Sequence, residues 1–219
     1  KYQEATDIPP GELDRNIDFY RTLFQMAADR GIDTYLVTWN IHVSRAFAAK
    51  HNIPAAGFDS ELVRDYTREA IKSLFATYPM LTGIGTTPGE RMSGMSADAI
   101  MAWIADTYLV ALRQLERPRP FILRYWGSQP EATVKMLEKT QYKGPVYLDI
   151  KFNGEHMYSS VKPHVLDPRW QQLARGRYRL LWHLRNDCLF ILRWGDPDFV
   201  RETVKNMGGP DSAGFLEGS

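Results

Sequence analysis

The sequence predicts an α/β protein of the (β/α)8 barrel type, in which about six βα units are present. Short runs rich in β-branched and aromatic residues alternate with amphipathic helical segments along the whole chain. Such alternation is typical of parallel βαβ units. No repeat, low-complexity segment or Gly/Ser linker interrupts the pattern, which predicts a single domain over residues 1–219. A complete barrel of this kind takes about 250 residues, so the expected barrel is incomplete.

The helices have recognisable beginnings and ends. The first covers residues 11–30 and ends at Gly31, and the second covers 61–77, with Asp59 or Ser60 as its N-cap and a stop before Pro79. Later helices are predicted at 96–115, 130–140 and 198–207. The predicted strands are 34–39, 81–86, 120–126, 145–152, 178–184 and 214–216, with 188–194 as a short extra strand in an alternative assignment.

The alternative architecture is an open, doubly wound sheet. It is disfavoured because no glycine-rich phosphate loop follows any predicted strand, and Gly83-x-Gly85 lies inside a strand and lacks the third glycine. A count of six strands, where closure takes eight, leaves the strand at 34–39 with an unpaired edge and exposed apolar side chains such as Leu36. We therefore expect contacts to further segments of the same polypeptide or to a second copy.

Composition excludes several classes of protein. The 27 Lys and Arg residues against 26 Asp and Glu give a net charge of +1, which does not favour a nucleic-acid partner. No apolar run reaches the roughly 18 residues of a membrane helix, so no membrane partner is expected. The single cysteine, Cys188, excludes an internal disulfide and any multi-cysteine metal site. No cofactor is predicted.

The predicted strands end in polar and aromatic residues. In a barrel the functional residues gather at these carboxyl ends. Aromatic faces pack on the C–H surfaces of sugars while polar groups bind the hydroxyls, so the pattern indicates a carbohydrate site. The candidate substrate-binding residues are Trp39, Asn40, His42, Arg124, Trp126, Lys151, His156, Trp182, His183, Arg185 and Glu217.

Three carboxylates are candidates for catalysis. Glycoside hydrolysis commonly uses one protonated and one ionised carboxyl group. Glu90 follows a Pro-Gly turn at a strand end, although a carboxylate there equally suits the start of a helix. Asp187 is the first candidate for the partner and Glu155 the next, while Asp187 also suits a turn after Asn186.

Arg124 and Lys151 are cations in otherwise apolar strands, and a buried cation needs a partner. Lys151 can pair with Asp149 on the same strand face, in which case Asp149 is structural. Alternatively, both cations face the carboxyl end and bind an anionic ligand such as a uronate carboxylate.

The histidines His42, His156 and His183 show no His-x-His or His-Glu-x-x-His spacing, so the sequence predicts no metal site. Trp103 and Tyr108 have helical packing spacing and are expected in the core.

Four stretches resemble glycoside hydrolase family 67, the α-glucuronidases. They are 24–37, which is similar to a helix–glycine–strand unit of that barrel, 83–90, 121–125 and 150–154. The resemblance implies that Glu90 is the general acid and that Arg124 and Lys151 bind the substrate. The chain has Glu155-His156-Met157 where the family has an aspartate, and Arg185-Asn186-Asp187 where it has a glutamate.

The sequence and the resemblance together predict a glycosidase of α-glucuronidase type, acting on a polysaccharide or oligosaccharide that contains uronic acid. Glu90 would protonate the leaving oxygen, while Asp187 or Glu155 activates water. Two alternatives stay open. One is a metal-dependent lyase or isomerase with Glu90, His42 and His183 as ligands, and the other is a non-catalytic carbohydrate-binding barrel.

Overall fold

The computed structural model describes residues 2, 5–57, 59–89, 92–124, 128–150, 161–162, 168–174, 178–184 and 197–217. The helices among them are α1 (Pro10–Ala28), α2 (Arg45–His51), α3 (Glu61–Thr77), α4 (Ala97–Ile104), α5 (Val110–Arg113), α6 (Pro130–Thr140), α7 (Pro168–Ala174) and α8 (Pro197–Met207). A π-helical turn, Ala105–Leu109, joins α4 to α5. The strands are β1 (Tyr35–Asn40), β2 (Gly83–Pro88), β3 (Phe121–Arg124), β4 (Val146–Ile150), β5 (Arg179–Leu184) and β6 (Ser212–Glu217).

The strands form a six-stranded parallel sheet in the order β1-β2-β3-β4-β5-β6. The α/β class and the six strands predicted from the sequence are therefore confirmed. Closure into a barrel stays a prediction. The chain folds as two compact units, of which the first comprises Lys1–Phe121 and Gly127–Gly144, and the second Ile122–Trp126 and Pro145–Ser219. The single domain predicted from the sequence stays a prediction.

In the first unit, β1 and β2 pair in parallel with Tyr35 opposite Gly83. A side chain at Gly83 would place its Cβ 2.5 Å from the Pro120 carbonyl oxygen and 2.9 Å from the Tyr35 ring. Only glycine fits there, because the backbone at Pro120 and the aromatic ring close on the same point.

Serine side chains start three of the helices of this unit. Ser44, Ser60 and Ser96 accept hydrogen bonds from the backbone N–H groups of Phe47, Val63 and Ala99 and so cap α2, α3 and α4.

Arg119 lies just before β3 and is buried, with only 8% of its surface exposed. Its guanidinium donates to the carbonyl oxygens of Leu81, at 2.7 Å, and Pro79, at 3.2 Å, and stacks 5.0 Å from the ring centroid of Phe75. Burial lowers the pKa of Arg119 from its ordinary value. Arg119 thereby ties the segment before β2 to the segment before β3.

In the second unit, β4, β5 and β6 pair in parallel, and a bulge between Leu180 and Leu181 shifts the register with β6. Gly214 lies opposite Leu181 with φ at 145°, a backbone conformation that favours glycine. Leu148, Ile150 and Leu180 are almost fully buried and form part of the core of this unit.

The sequence predicted α3 and α6 with the bounds that the structure has. It missed α2 and α7, which have seven residues each. Trp103 and Tyr108 are 0% and 3% exposed, so their expected place in the core is confirmed. No helix in the described part of the chain is long and apolar enough to span a membrane.

The first strand in the sheet order leaves apolar surface uncovered. Val37 is 43% and Trp39 54% exposed, while Leu36, the residue named from the sequence, is partly buried. The expected covering of this edge by further chain segments or a second copy stays a prediction.

Candidate functional site

The carboxyl end of β1 presents Trp39 and Asn40 in opposite directions, as strand alternation requires. Trp39 is half exposed, and its indole covers Gly89, where a Cβ would lie 2.4 Å from the ring atom Cε3. Asn40 is 4% exposed, and its Oδ1 accepts a hydrogen bond of 3.1 Å from the Tyr108 hydroxyl. Of these two predicted substrate-binding residues, only Trp39 offers an open aromatic face.

Tyr108 is buried, and its hydroxyl is the centre of a polar cluster in the first unit. Its hydroxyl lies 2.8 Å from Thr38 Oγ1, and Thr86 Oγ1 donates to the Thr38 carbonyl oxygen at 3.3 Å. Burial raises the pKa of Tyr108, so its hydroxyl keeps the proton that it donates to Asn40. Asn40 Nδ2 has no hydrogen-bond partner within the described ranges.

The second unit brings together three polar side chains from adjacent strands. Arg124 is the last residue of β3, and Asp149 and His183 are the penultimate residues of β4 and β5. Asp149 Oδ2 lies 3.9 Å from Arg124 Nε, and Asp149 Oδ1 lies 3.4 Å from His183 Nδ1. Asp149 pairs with Leu181 in the register, so His183, two residues further on, projects from the same face.

This cluster is buried but has unused hydrogen-bonding groups. Asp149 is 2% and His183 9% exposed. Their 3.4 Å contact lacks the alignment of a hydrogen bond, and among the residues that the structure describes neither His183 nitrogen has a hydrogen-bond partner. Buried polar groups are normally hydrogen-bonded, because leaving one unpaired costs about 1–3 kcal/mol. The arrangement can therefore accept further hydrogen bonds from a polar ligand.

Trp182 is next to His183 and lies on the opposite face of β5. It is 3% exposed and lines a small cavity with Gln171 of α7 and Met207 of α8. This is the position of a core residue beneath helices, and the geometry favours packing for Trp182. Its predicted role in substrate binding stays a prediction.

His42 lies after β1 and forms an isolated antiparallel bridge with Ala56. Its side chain is exposed. Within the described residues there is no group of three His, Cys, Asp or Glu side chains that could hold a metal ion. The metal-dependent alternative includes Glu90, which is outside those residues, and stays untested.

The remaining predicted site residues lie outside the described residues. They are Glu90, Trp126, Lys151, Glu155, His156, Arg185 and Asp187. Glu217 ends β6, and its side chain is also outside the description. Their predicted roles stay predictions.

No family model matches the chain, and no curated protein matches it. Among solved structures, it is similar to that of a GH138 enzyme targeting pectin rhamnogalacturonan II, with a TM-score of 0.78 and 21% sequence identity. The likeness covers 99% of this chain and 26% of that one, so the chain spans about a quarter of the length of the matched structure. At this identity the likeness shows a shared fold. The chain thus shares its fold with about a quarter of that enzyme, and the resemblance to family 67 stays a prediction.

Asp149 is the residue that sequence reasoning missed. One of the two interpretations from the sequence pairs it with Lys151, which lies outside the described residues, and the structure places it between Arg124 and His183. The available signal was an aspartate in the apolar run Val146–Ile150, one position before the strand ends. A buried carboxylate at that position requires polar partners.

We expect Gly89→Ala to displace the Trp39 indole, since the new Cβ would lie 2.4 Å from it. Because that ring is half exposed, it can move, and the free energy of unfolding should fall by no more than about 1 kcal/mol. The indole N–H resonance of Trp39 should shift in a 1H–15N spectrum. Gly94→Ala is the matched control, because a Cβ at Gly94 meets nothing within 4 Å. An unchanged Trp39 resonance in Gly89→Ala would contradict the close packing.

Proposed function

We propose that this chain forms part of the catalytic region of a glycoside hydrolase that cleaves an acidic polysaccharide of the pectic type. The observation that carries the proposal is the likeness, over 99% of the chain, to a GH138 enzyme targeting pectin rhamnogalacturonan II. Fold alone does not determine chemistry, so the proposal also needs support from the site residues.

The Arg124–Asp149–His183 cluster supports an acidic sugar as ligand. Arg124 is mostly buried, with 18% of its side chain exposed, and its Nε lies 3.9 Å from Asp149 Oδ2, which is beyond hydrogen-bond distance. A guanidinium binds a carboxylate through two parallel hydrogen bonds strengthened by opposite charge, and a neutral sugar lacks that charge. Arg124, together with Lys151, is therefore our candidate for binding a uronate carboxylate.

Glu90 is our candidate for the general acid, and Asp187, then Glu155, for the second carboxylate. The support is their place after predicted strands and, for Glu90, the resemblance to family 67. The half-exposed Trp39 ring, which covers Gly89 next to Glu90 in the chain, supports a sugar-stacking surface beside the acid. A separation of about 6.5–9.5 Å between the two carboxyl groups would indicate hydrolysis with inversion of the anomeric configuration. A separation of about 5 Å would indicate retention.

The direct test is to incubate the purified protein with rhamnogalacturonan II, polygalacturonan and glucuronoxylan, and to measure new reducing ends. We expect release from at least one of these acidic polymers and none from neutral galactan. Cleavage of galactan alone would contradict the acidic substrate. Absence of cleavage in all four polymers would contradict hydrolysis.

A further inference from the structure

The carboxylate of Asp149 lies between a guanidinium and an imidazole, with one oxygen toward each. We propose that Asp149 is the positioning residue of the substrate site: it fixes Arg124 and His183 so that both contact the same sugar unit. This inference rests on the proposed function; it assigns a new role to Asp149 and specifies the contact made by His183, a predicted substrate-binding residue. Asp149 orients both partners, and His183 accepts a hydrogen bond from a sugar hydroxyl.

Asp149 is buried, so its carboxylate needs partners inside the protein. At 2% exposure an ionised carboxylate has lost nearly all of its water and needs compensating partners. The positive partner within the described residues is Arg124, at 3.9 Å, and the other titratable neighbour is His183, at 3.4 Å. Asp149 therefore neutralises Arg124 while holding its guanidinium near the carboxyl end of β3.

His183 is oriented with one ring nitrogen toward Asp149 and the other away from it. Its Nδ1 is the ring nitrogen next to the carboxylate, an orientation that favours the tautomer with the proton on Nδ1 and the lone pair on Nε2. That Nε2 is buried and has no hydrogen-bond partner among the described residues. It is thus an acceptor prepared for a hydroxyl donor, and sugars supply hydroxyl donors around the ring. The 3.4 Å contact is of the kind that shortens when a ligand binds.

The positions of the three residues in their strands also favour a ligand site. All three residues lie in the last two positions of consecutive strands, where ligands meet parallel sheets. Strand residues hold side chains more rigidly than loop residues do. A purely structural ion cluster would be expected to satisfy its own donors and acceptors, whereas here the described residues leave Asp149 Oδ1 and both His183 nitrogens without a hydrogen-bond partner.

The test compares Asp149→Asn with Asp198→Asn, which removes an exposed aspartate from α8. Binding of methyl α-galacturonide and methyl α-glucuronide is measured by NMR titration, with the corresponding galactoside and glucoside as neutral ligands. In Asp149→Asn we expect affinity for at least one uronide to fall about 10- to 100-fold, because the neutral amide no longer holds Arg124 and His183 in the binding geometry. His183→Gln should weaken binding of the same uronide, and Asp198→Asn should not change it.

The imidazole 15N shifts separate positioning from folding. In the parent protein the His183 signals, assigned with His183→Gln, should show the tautomer protonated at Nδ1, and Asp149→Asn should give a mixture. If Asp149→Asn does not fold, the proposal is tested on the parent protein alone. Adding the uronide to the parent protein must shift the His183 Nε2 resonance. An unshifted Nε2 at saturating uronide, or uronide affinity unchanged in a folded Asp149→Asn, would overturn the proposal. If uronide binding depends on Asp149 but the protein cleaves no polymer, the proposed hydrolysis is overturned and the positioning role of Asp149 is supported.

Discussion

Glu90→Gln is expected to lower the turnover of a cleavable polysaccharide by about 100- to 10,000-fold, the range that general acid catalysis contributes. The amide keeps the shape of the side chain but cannot release a proton to the leaving oxygen. The KM should change little, because the ligand contacts proposed for Arg124 and Trp39 are unaltered. The measurement is the initial rate of reducing-end formation at saturating polymer.

The competing interpretation of Glu90 is a carboxylate that stabilises the start of a helix. Glu12→Gln is the matched control, because Glu12 is an exposed carboxylate in the first turn of α1. It should lower the free energy of unfolding by about 0.3–1 kcal/mol through the helix dipole and leave turnover unchanged. If Glu90→Gln behaves in the same way, Glu90 has no role in catalysis.

Trp103→Ala is expected to lower the free energy of unfolding by about 3–5 kcal/mol, as for a large aromatic residue removed from a packed core. Trp103 is 0% exposed, and its ring centroid lies 6.0 Å from that of Tyr108. The substitution removes this contact and leaves a cavity below the Tyr108 cluster. Urea unfolding followed by circular dichroism measures the change.

Trp103→Phe is the control variant for Trp103→Ala. The Trp103 Nε1–H has no hydrogen-bond partner among the described residues, so phenylalanine removes volume but no hydrogen bond. We expect less than half of the alanine effect. A cost for phenylalanine equal to that for alanine would mean that the indole N–H contributes through a partner.

The elements that could be predicted from the sequence are those with strong local signals. Pro130 begins α6 and Ser60 caps α3, and both helices are long enough for an apolar period to show. α2 and α7 span about two turns each, which is too short for that period to stand out.

The site was less predictable, because its contacts depend on register between strands. Arg124, Asp149 and His183 are far apart in the chain, and only the pairing of β4 with β5 places His183 on the face of Asp149. Strand alternation directs Trp182 and His183 to opposite faces, and the same pairing decides which of them shares the face of Asp149. A shift of one residue would exchange them.

The π-helical turn at Ala105–Leu109 affects how this chain should be aligned with relatives. Such a turn accommodates one residue more than an α-helix of the same rise, and each residue of an α-helix turns about 100° around the axis. An ungapped alignment to an uninterrupted helix would therefore pair residues beyond the turn one position out of phase. Tyr108 lies inside the turn, so its equivalent should be sought with a single-residue gap allowed there. The packing of its hydroxyl against Thr38 and Asn40 then provides the criterion for a correct match.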